Sequence, residues 1–368
     1  MAVSRAGTQL RCRNRCFHDS KGTPLRRVTK LAAAVTATAT LALTATACGE
    51  SSTESGGGKK NKGVGLAFDV GGRDDHSFNE AAARGTDKAE KELGVKTKEM
   101  TAGNNETEET REQRLISLAK DGYNPVIGVG FNYGKSINKV AKDFPDTTFG
   151  VVDEQSHTKN VVGMTFAENE SSYLVGVAAA KKTKTDKVSF IGGVDNALIQ
   201  KFEAGYVKGV KDTNPKIKVE VDYLYKESDK GFNDPARAKS MAKGMLARGN
   251  DVIYSAAGQS GAGSIEQVSK KKGAWAIGVD SDQYRQKGLE KYKNAILTSS
   301  VKNVDVAVYE LIKSVKDGKP LKGNQTFSLK EDGVSVATSG GFVDDVMDDI
   351  NKAKEDIISG KVKVPARP

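Results

Sequence analysis

The sequence predicts an α/β protein built on parallel β-sheets and divided into two lobes. From Gly63 onward, short apolar runs alternate with segments of helical periodicity, which is the pattern of βαβ units. About 300 residues follow that point, more than one hydrophobic core usually serves, so we expect two lobes.

Eight apolar runs are predicted to be strands, at residues 64–68, 125–129, 148–152, 188–191, 219–224, 252–255, 274–279 and 295–298. Between most of them the periodicity indicates helices, for example at residues 80–93, 171–181, 235–247 and 304–315.

The residues that directly follow apolar runs are the first candidates for ligand contacts. In open α/β sheets, ligands bind beyond the carboxyl ends of the strands. The positions concerned are Asp69, Gly130, Asp153, Gly258 and Asp280. Three carboxylates and two glycines suit a polar ligand that the backbone approaches closely.

The charge of the chain is concentrated at its N-terminus. The chain has 57 basic and 47 acidic residues, a net charge of +10. Residues 1–47 hold eight basic side chains and one acidic one, which leaves only +3 for the rest. We therefore expect no nucleic-acid partner.

Residues 1–47 are predicted to be a secretory signal peptide. An uncharged stretch rich in Ala and Thr, residues 31–47, follows the basic segment and ends at Cys48. The alternative is a membrane-spanning helix, which needs about 20 strongly apolar residues. Ala45-Thr46-Ala47-Cys48 resembles a bacterial lipobox, with Ala45 where Leu is usual, so Cys48 is the predicted lipidation site.

Three further features accompany the predicted signal peptide. Arg26-Arg27 loosely resembles a twin-arginine signal, which leaves the export route open between the general secretory and twin-arginine systems. Cys12 and Cys16 would be removed with the signal, so no disulfide forms within the mature chain. Residues 48–62 are a polar Gly/Ser tether, expected to hold the folded body off the membrane.

The first binding motif surrounds Phe78. Ser77 and Glu80 form an S-x-x-E capping box, which places Phe78 at the first position of a helix. There the ring either projects into a cleft or packs under the Gly71-Gly72 loop.

A second Phe-Asn pair precedes another helix. Asp234 is the predicted N-cap and Pro235 the first helical residue, with Phe232 just ahead of them. The alternative for Phe232 is a hydrophobic staple. Two rings, one from each lobe, could enclose a flat heterocycle between them.

A third motif joins Asp280 to Lys302. If Ser300 caps a helix, Lys302 falls in its first turn, where the helix dipole disfavours a cation, so a partner such as Asp280 is expected. A carboxylate and an ammonium group suit the hydroxyls of a ribose. The alternative is a surface lysine beside a solvated carboxylate.

Several other functions lack their motifs. Gly134-Lys135-Ser136 is not a P-loop, because Val129 stands where the motif needs Gly. His76 and His157 are the only histidines after the signal, and no Cys pair remains, so neither a metal nor another cofactor is expected. No G-x-S-x-G elbow is present, which makes an enzyme of unknown class a distant alternative.

Taken in order from Gly63 to Pro365, these segments resemble the BMP family of basic membrane lipoproteins, the purine nucleoside receptor type of ABC-transporter solute-binding protein. The segments that carry the resemblance are DVGGRDDHSFNE, GVGF, VVDE, GFNDPARAK, AAGQSGAG, IGVDSD, LTSSVKNVDVAVY and SGKVKVP. His76 departs from the family pattern, in which Lys is common.

The resemblance implies a type I periplasmic-binding-protein fold, with two Rossmann-like lobes joined by three crossovers near Phe166, Asp280 and Lys302. The N-terminal lobe would contain residues 63–166 and 281–302, and the C-terminal lobe residues 167–280 and 303–368. It also implies a monomer that delivers its ligand to an ABC-transporter permease.

The resemblance further implies ligand contacts. Phe78 and Phe232 would stack on the base, and Gly261 would pack close to the nucleoside. The polar edges of the base would bond to Asp69, Asn79 and Asp153, and the ribose to Asp280 and Lys302. A sugar or signalling-molecule receptor of the same fold is the alternative.

Overall fold

The computed structural model describes residues 61–368, so the signal peptide, Cys48 and nearly all of the tether lie outside the described residues. Within the described part the chain forms two six-stranded sheets. The strands are β1 (Val64–Ala67), β2 (Thr97–Met100), β3 (Val126–Gly128), β4 (Phe149–Val152), β5 (Val161–Phe166), β6 (Lys187–Val194), β7 (Lys218–Tyr225), β8 (Val252–Ala256), β9 (Trp275–Asp280), β10 (Ile296–Lys302), β11 (Asn324–Phe327) and β12 (Val334–Val336).

Helices cover both sheets. They are α1 (Phe78–Leu93), α2 (Glu108–Lys120), α3 (Gly134–Val140), α4 (Glu168–Lys182), α5 (Ala197–Thr213), α6 (Pro235–Ala247), α7 (Gly261–Val268), α8 (Val304–Lys316) and α9 (Met347–Ile358). Short 3₁₀ helices lie at Phe131–Tyr133, Ala141–Asp143, Asp229–Phe232, Gly258–Ser260, Gln283–Arg285, Lys287–Ala295 and Asp344–Val346. All eight predicted strands are confirmed, as are the four helices.

The strands run β11-β5-β4-β3-β1-β2 in the first sheet and β12-β10-β9-β8-β6-β7 in the second. Pairing is parallel throughout both sheets except between β10 and β12. Parallel pairing puts the carboxyl ends of neighbouring strands at one edge of each sheet, where a ligand site is expected.

Three connections carry the described chain between the sheets. They follow Phe166 and Lys302, as expected, but the third lies between Phe327 and Val334. The expected crossover near Asp280 is wrong, because β9 and β10 pair with each other in the second sheet.

The same strand pairing differs from the expected allocation of segments to lobes. Residues 296–302 belong to the second sheet instead of the first, and residues 324–327 to the first instead of the second. The lobe boundaries otherwise stay a prediction.

Helix α4 packs closely on α5 and fixes its position. A Cβ atom added at Gly205 or Gly209 of α5 would collide with backbone carbonyls of Asn169 and Tyr173 in α4. The two backbones therefore approach closely, which fixes α5 and the apolar side chains at its N-terminal end. Among residues 61–368, no helix is both long enough and apolar enough to span a bilayer.

Candidate ligand-binding site

A cavity lies where the carboxyl ends of the two sheets face each other, with about 550 Å³ of space not filled by protein atoms, including the solvent at its opening. Residues of both sheets and of the adjoining helices line it: Asp69, Val70, Asp75, Phe78, Asn79, Gly130, Phe131, Asp153, Leu198, Ile199, Phe202, Phe232, Ala256, Gly258, Val279, Asp280 and Lys302.

All five residues chosen because they follow apolar runs line this cavity. The backbone bends sharply at these positions: φ is 69° at Asp153 and 62° at Asp280, in the left-handed region that Asp tolerates better than most residues. At Gly130, where φ is 108°, a Cβ atom would collide with the Asp69 carboxylate. Glycine is thus required there to let the backbone approach Asp69.

Of the eight predicted ligand contacts, seven line the cavity and Gly261 does not. Gly261 is the first residue of α7, behind the short 3₁₀ helix Gly258–Ser260. The backbone of this Gly-rich turn approaches the cavity at Gly258.

The start of α1 differs from the predicted capping box. Helix α1 begins at Phe78 as predicted, but the Ser77 side chain does not cap it. The capping acceptor is the buried Asp75 carboxylate, which accepts the backbone N–H groups of Ser77 (2.9 Å), Asn79 (2.8 Å) and Glu80 (3.1 Å). Burial raises the pKa of Asp75 to about 7, although these three hydrogen bonds oppose the shift.

The Ser77 hydroxyl instead joins the two halves of the site. It donates to Oδ2 of Asp280 at 2.7 Å, across 203 positions of sequence. The Ser281 hydroxyl returns a hydrogen bond to the Ser77 carbonyl at 2.7 Å. The start of α1 is thereby bonded to the end of β9.

Asn79 holds the loop that carries Asp69. Its Oδ1 accepts the Asp69 backbone N–H at 3.0 Å, and its Nδ2 donates to the Val70 carbonyl at 3.0 Å and to Asp75 at 3.1 Å. Asp69 itself accepts the Val70 N–H at 2.9 Å. Burial raises the pKa of Asp69 to about 6, so its ionisation is costly in this structure.

Lys302 is the last residue of β10, not a residue of the first turn of a helix, because α8 begins only at Val304. Its side chain is 2% exposed, so the surface-lysine alternative is wrong. The Lys302 ammonium group pairs with Asp153 at 2.6 Å and Glu168 at 3.2 Å. Asp280, the expected partner, contributes only a more distant charge and bonds to Ser77.

The pKa values in this cluster reflect a contest between burial and charge. Burial alone lowers the pKa of Lys302, but the combined charges of Asp153, Glu168 and Asp280 outweigh it and hold the pKa above its ordinary range. Burial raises the pKa of Asp153 and of Asp280, and Lys302 opposes both shifts. Lys302 therefore stays protonated, and its charge favours the ionised forms of Asp153 and Asp280 against the effect of burial.

Aromatic rings reach the cavity from both sheets. Phe78 and Phe232 line it, as predicted, and both are half-buried. Two further rings were missed: Phe131 contacts Phe232 edge-to-face at 6.3 Å between centroids, and Phe202 lies 5.7 Å from the Lys302 nitrogen. Phe131 could have been found, since it directly follows the candidate strand-end position Gly130.

Glu168 was also missed. It is fully buried at the start of α4 and pairs with Lys201 at 3.1 Å as well as with Lys302. Its sequence neighbourhood reads as an ordinary acidic helix start, which gives no sign of burial.

Aromatic and carboxylate groups on the walls of one cavity, between two sheets linked by three connections, are suited to holding a polar ring-bearing ligand. The fold and the site together define the class of two-lobed solute-binding proteins.

The comparisons with known proteins identify the family. The family model of PnrA-like ABC transporter substrate-binding proteins, Bmp, matches residues 62–368. This chain belongs to that family. Its members are substrate-binding proteins and not enzymes, which removes the enzyme alternative.

Individual relatives agree along most of the chain. The ABC transporter nucleoside-binding protein BmpA of Lactococcus lactis subsp. cremoris is 36% identical over 335 residues, which is 86% of this chain and 93% of that protein. A lipoprotein of Pyrococcus abyssi is 34% identical over 294 residues, 77% of this chain and 70% of its own length.

Among solved structures, an ABC transporter solute-binding protein of Aeropyrum pernix K1 superposes with a TM-score of 0.70 at 28% identity, over 82% of this chain and 93% of that one. The resemblance read from the sequence and the α/β periplasmic-binding fold are thus confirmed.

Proposed function

We propose that this substrate-binding protein captures a purine nucleoside outside the cytoplasm and delivers it to the permease of an ABC importer. The observation that carries the proposal is a buried acceptor in a cavity that aromatic rings also line. Oδ1 of Asp153 has no hydrogen-bond partner among the described residues, in a cavity that Phe78 and Phe232 also line. A buried acceptor without a donor is costly, and a ligand N–H or O–H group would satisfy it.

The base and the ribose of a nucleoside need different chemical partners, and the cavity offers both kinds. Phe78 and Phe232 would stack on the base, and Asp69 and Asp153 would accept its N–H groups. Asp280 and Lys302 would bond the ribose hydroxyls. Asn79, whose amide already bonds three protein groups, would act mainly by holding Asp69.

Close approach of backbone to the nucleoside was expected at Gly261. Gly258 lines the cavity, so it takes over that role in the proposal. Its φ of 52° places it in the left-handed region that favours glycine.

The cavity carboxylates should also exclude negatively charged ligands. Four aspartates line the cavity against one lysine, and Lys302 is already paired. A phosphate group would meet uncompensated negative charge, so the preferred ligand is an uncharged nucleoside rather than a nucleotide.

The similarity to a lipoprotein of Pyrococcus abyssi supports the proposal that a lipid anchors this protein to the membrane. Cys48 would carry the lipid and residues 49–62 would act as the tether, with the folded body on the extracytoplasmic face as a monomer. Mass spectrometry of the mature protein tests this: an acylated N-terminal Cys48 is expected, and another N-terminus would contradict the anchor without affecting the cavity.

Calorimetry with the full chain in detergent tests the ligand. Inosine, adenosine and guanosine are compared with their free bases, ribose, glucose and the nucleoside 5′-monophosphates. Micromolar or tighter binding of a purine nucleoside, with much weaker binding of the monophosphate, is expected. Tight binding of a sugar without any nucleoside response would refute the proposal in favour of a sugar receptor.

A further inference from the structure

Two loops from opposite sheets are hydrogen-bonded to each other beside the cavity. The first, residues 101–107, joins β2 to α2, and the second, residues 226–234, joins β7 to α6. Phe232 of the second loop lines the cavity, whereas Asn104 and Asn105 of the first are exposed. The contact therefore lies between the cavity and solvent.

Three hydrogen bonds form this contact. The Asn105 backbone N–H donates to Oδ1 of Asp229 at 3.2 Å, and the Ser228 hydroxyl donates to Oδ1 of Asn105 at 3.1 Å. The Asn233 amide donates to Oδ1 of Asn104 at 3.1 Å. Asn105 has a φ of 55°, a left-handed conformation that Asn accepts more readily than most residues.

Arg111 adds a charge to the same contact. Its guanidinium group lies 3.7 Å from Oδ2 of Asp229, and the residue is only 8% exposed. Its charge also lowers the pKa of Asp69, against the larger effect of burial. Arg111 thus acts on a cavity carboxylate and on the opposite loop together.

The first loop is held in shape from behind. Oε1 of Glu106 accepts the Gly103 N–H at 2.8 Å and pairs with Arg114 at 2.5 Å. Arg114 donates to the Tyr133 hydroxyl at 2.7 Å, which donates to the Phe68 carbonyl at 3.0 Å. Phe68 immediately precedes Asp69, so one hydrogen-bonded chain fixes both the loop and the cavity wall.

We infer that the contacts of residues 104, 105 and 111 with residues 228, 229 and 233 form a latch that sets how long the ligand stays bound. The inference rests on the proposed function of the cavity. When the two sheets separate to admit or release a ligand, these groups bond to water, so the latch stabilises only the closed form. A stronger latch therefore lowers the rate of ligand release, and it does not change the rate at which the open form binds the ligand.

Stopped-flow kinetics of the full chain with the tightest-binding purine nucleoside of the panel test the latch. Asp229→Ala removes one hydrogen bond and the ion pair, and we expect its release rate to rise about 10-fold. Asp229→Asn keeps an acceptor for Asn105 and should show a smaller rise. Asn351→Ala, on the exposed outer side of α9, is the matched control and should release at the wild-type rate.

A double-mutant cycle isolates the amide pair. Asn104→Ala and Asn233→Ala should each raise the release rate about 3-fold, and the double variant should add nothing further. Association should be at least as fast as in Asn351→Ala, because a larger share of ligand-free molecules is open, and the ligand-free melting temperature should match that of Asn351→Ala. Unchanged release rates, or a fall in ligand-free stability that accounts for the change, would overturn the latch.

Small-angle X-ray scattering separates the latch from the proposed ligand. Ligand-free Asp229→Ala should have a larger radius of gyration than the wild type, because the closed form loses its latch. If the wild type binds no purine nucleoside, the proposed function fails. The latch is then tested only by comparing the radii of gyration of ligand-free Asp229→Ala and wild type. Equal radii in that case would refute it.

Discussion

Replacement of Asp69 by Asn should stabilise the ligand-free protein while weakening ligand binding. Asp69 lines the cavity and is 6% exposed, with a backbone N–H and a distant amide as its hydrogen-bond donors. Such a carboxylate lacks the solvation that it has in the unfolded chain. Asn has nearly the same shape and no charge to desolvate.

The magnitude follows from the pKa of Asp69, which burial raises from 3.8 to about 6. The folded state then binds the proton more tightly than the unfolded chain does. Ionisation of Asp69 costs about 3 kcal/mol of folding free energy, a cost absent below pH 4 and complete above about pH 6. Stability due to this group therefore falls as pH rises through that window.

The gain in Asp69→Asn should be smaller than this cost. The new Oδ1 accepts the Val70 N–H as before, but the new Nδ2 faces the Asn132 amide, which donates to Asp69 at 3.4 Å. Asn132 must turn to present its oxygen. We expect a net gain of about 1 to 2 kcal/mol at pH 7.5 and no gain at pH 4.

Urea unfolding of ligand-free protein at pH 4, 5, 6 and 7.5 measures the effect. The difference between Asp69→Asn and wild type should grow across this series, while Asp146→Asn, an exposed control, should show no trend. A difference that stays constant with pH would refute the assignment of the cost to Asp69. Calorimetry should show weaker nucleoside binding by the same variant.

Three further predictions concern the cavity. Lys302→Met should lower the free energy of unfolding by about 3 to 5 kcal/mol at pH 7, because it leaves buried carboxylates unpaired. The loss should be smaller at pH 5, where Asp153 takes up a proton. A loss below about 1 kcal/mol at pH 7, measured by urea unfolding, would contradict this prediction. Phe232→Ala should weaken nucleoside binding by about 1 to 3 kcal/mol in calorimetry, and Phe144→Ala, outside the cavity, should not; equal affinities would exclude stacking. Asp280→Ala should weaken the binding of ribosides more than that of free bases, and equal losses would remove its ribose role.

Seven buried strands and the edge strand β7 were predicted because each contains a short apolar run, whereas β5 (VVGMTF), a buried run of the same kind, was missed. The edge strands β2 (TKEM) and β11 (NQTF) could not be predicted in this way, because both are polar and partly exposed, and each pairs on one side only among the described strands. The lobe allocation failed at β10 for a related reason. Which sheet a strand joins depends on contacts distant in sequence, here with β9 and β12.

Site positions were predictable where they depend on strand ends alone. The carboxyl ends of parallel strands meet at one edge whatever the side chains are, so all five strand-end residues reached the cavity. The capping of α1 was not predictable in this way. Asp75 and Ser77 both precede the helix, but the Ser77 hydroxyl bonds to Asp280, which is far away in sequence, so Asp75 provides the cap.

Lys302 shows how far local reasoning extends. A cation near a helix start does need a carboxylate, and the structure supplies two, neither of them the expected Asp280. An ammonium group has three N–H donors, and Lys302 uses one of them for its hydrogen bond to Asp153, while Glu168 Oε1 lies 3.2 Å away as an ion pair without a hydrogen bond. In the proposed function, Lys302 could therefore donate at most two hydrogen bonds to the ribose. Asp153 is held by Lys302 through Oδ2, and its Oδ1 has no partner among residues 61–368, so it presents a charged acceptor to the cavity without carrying an unpaired charge of its own.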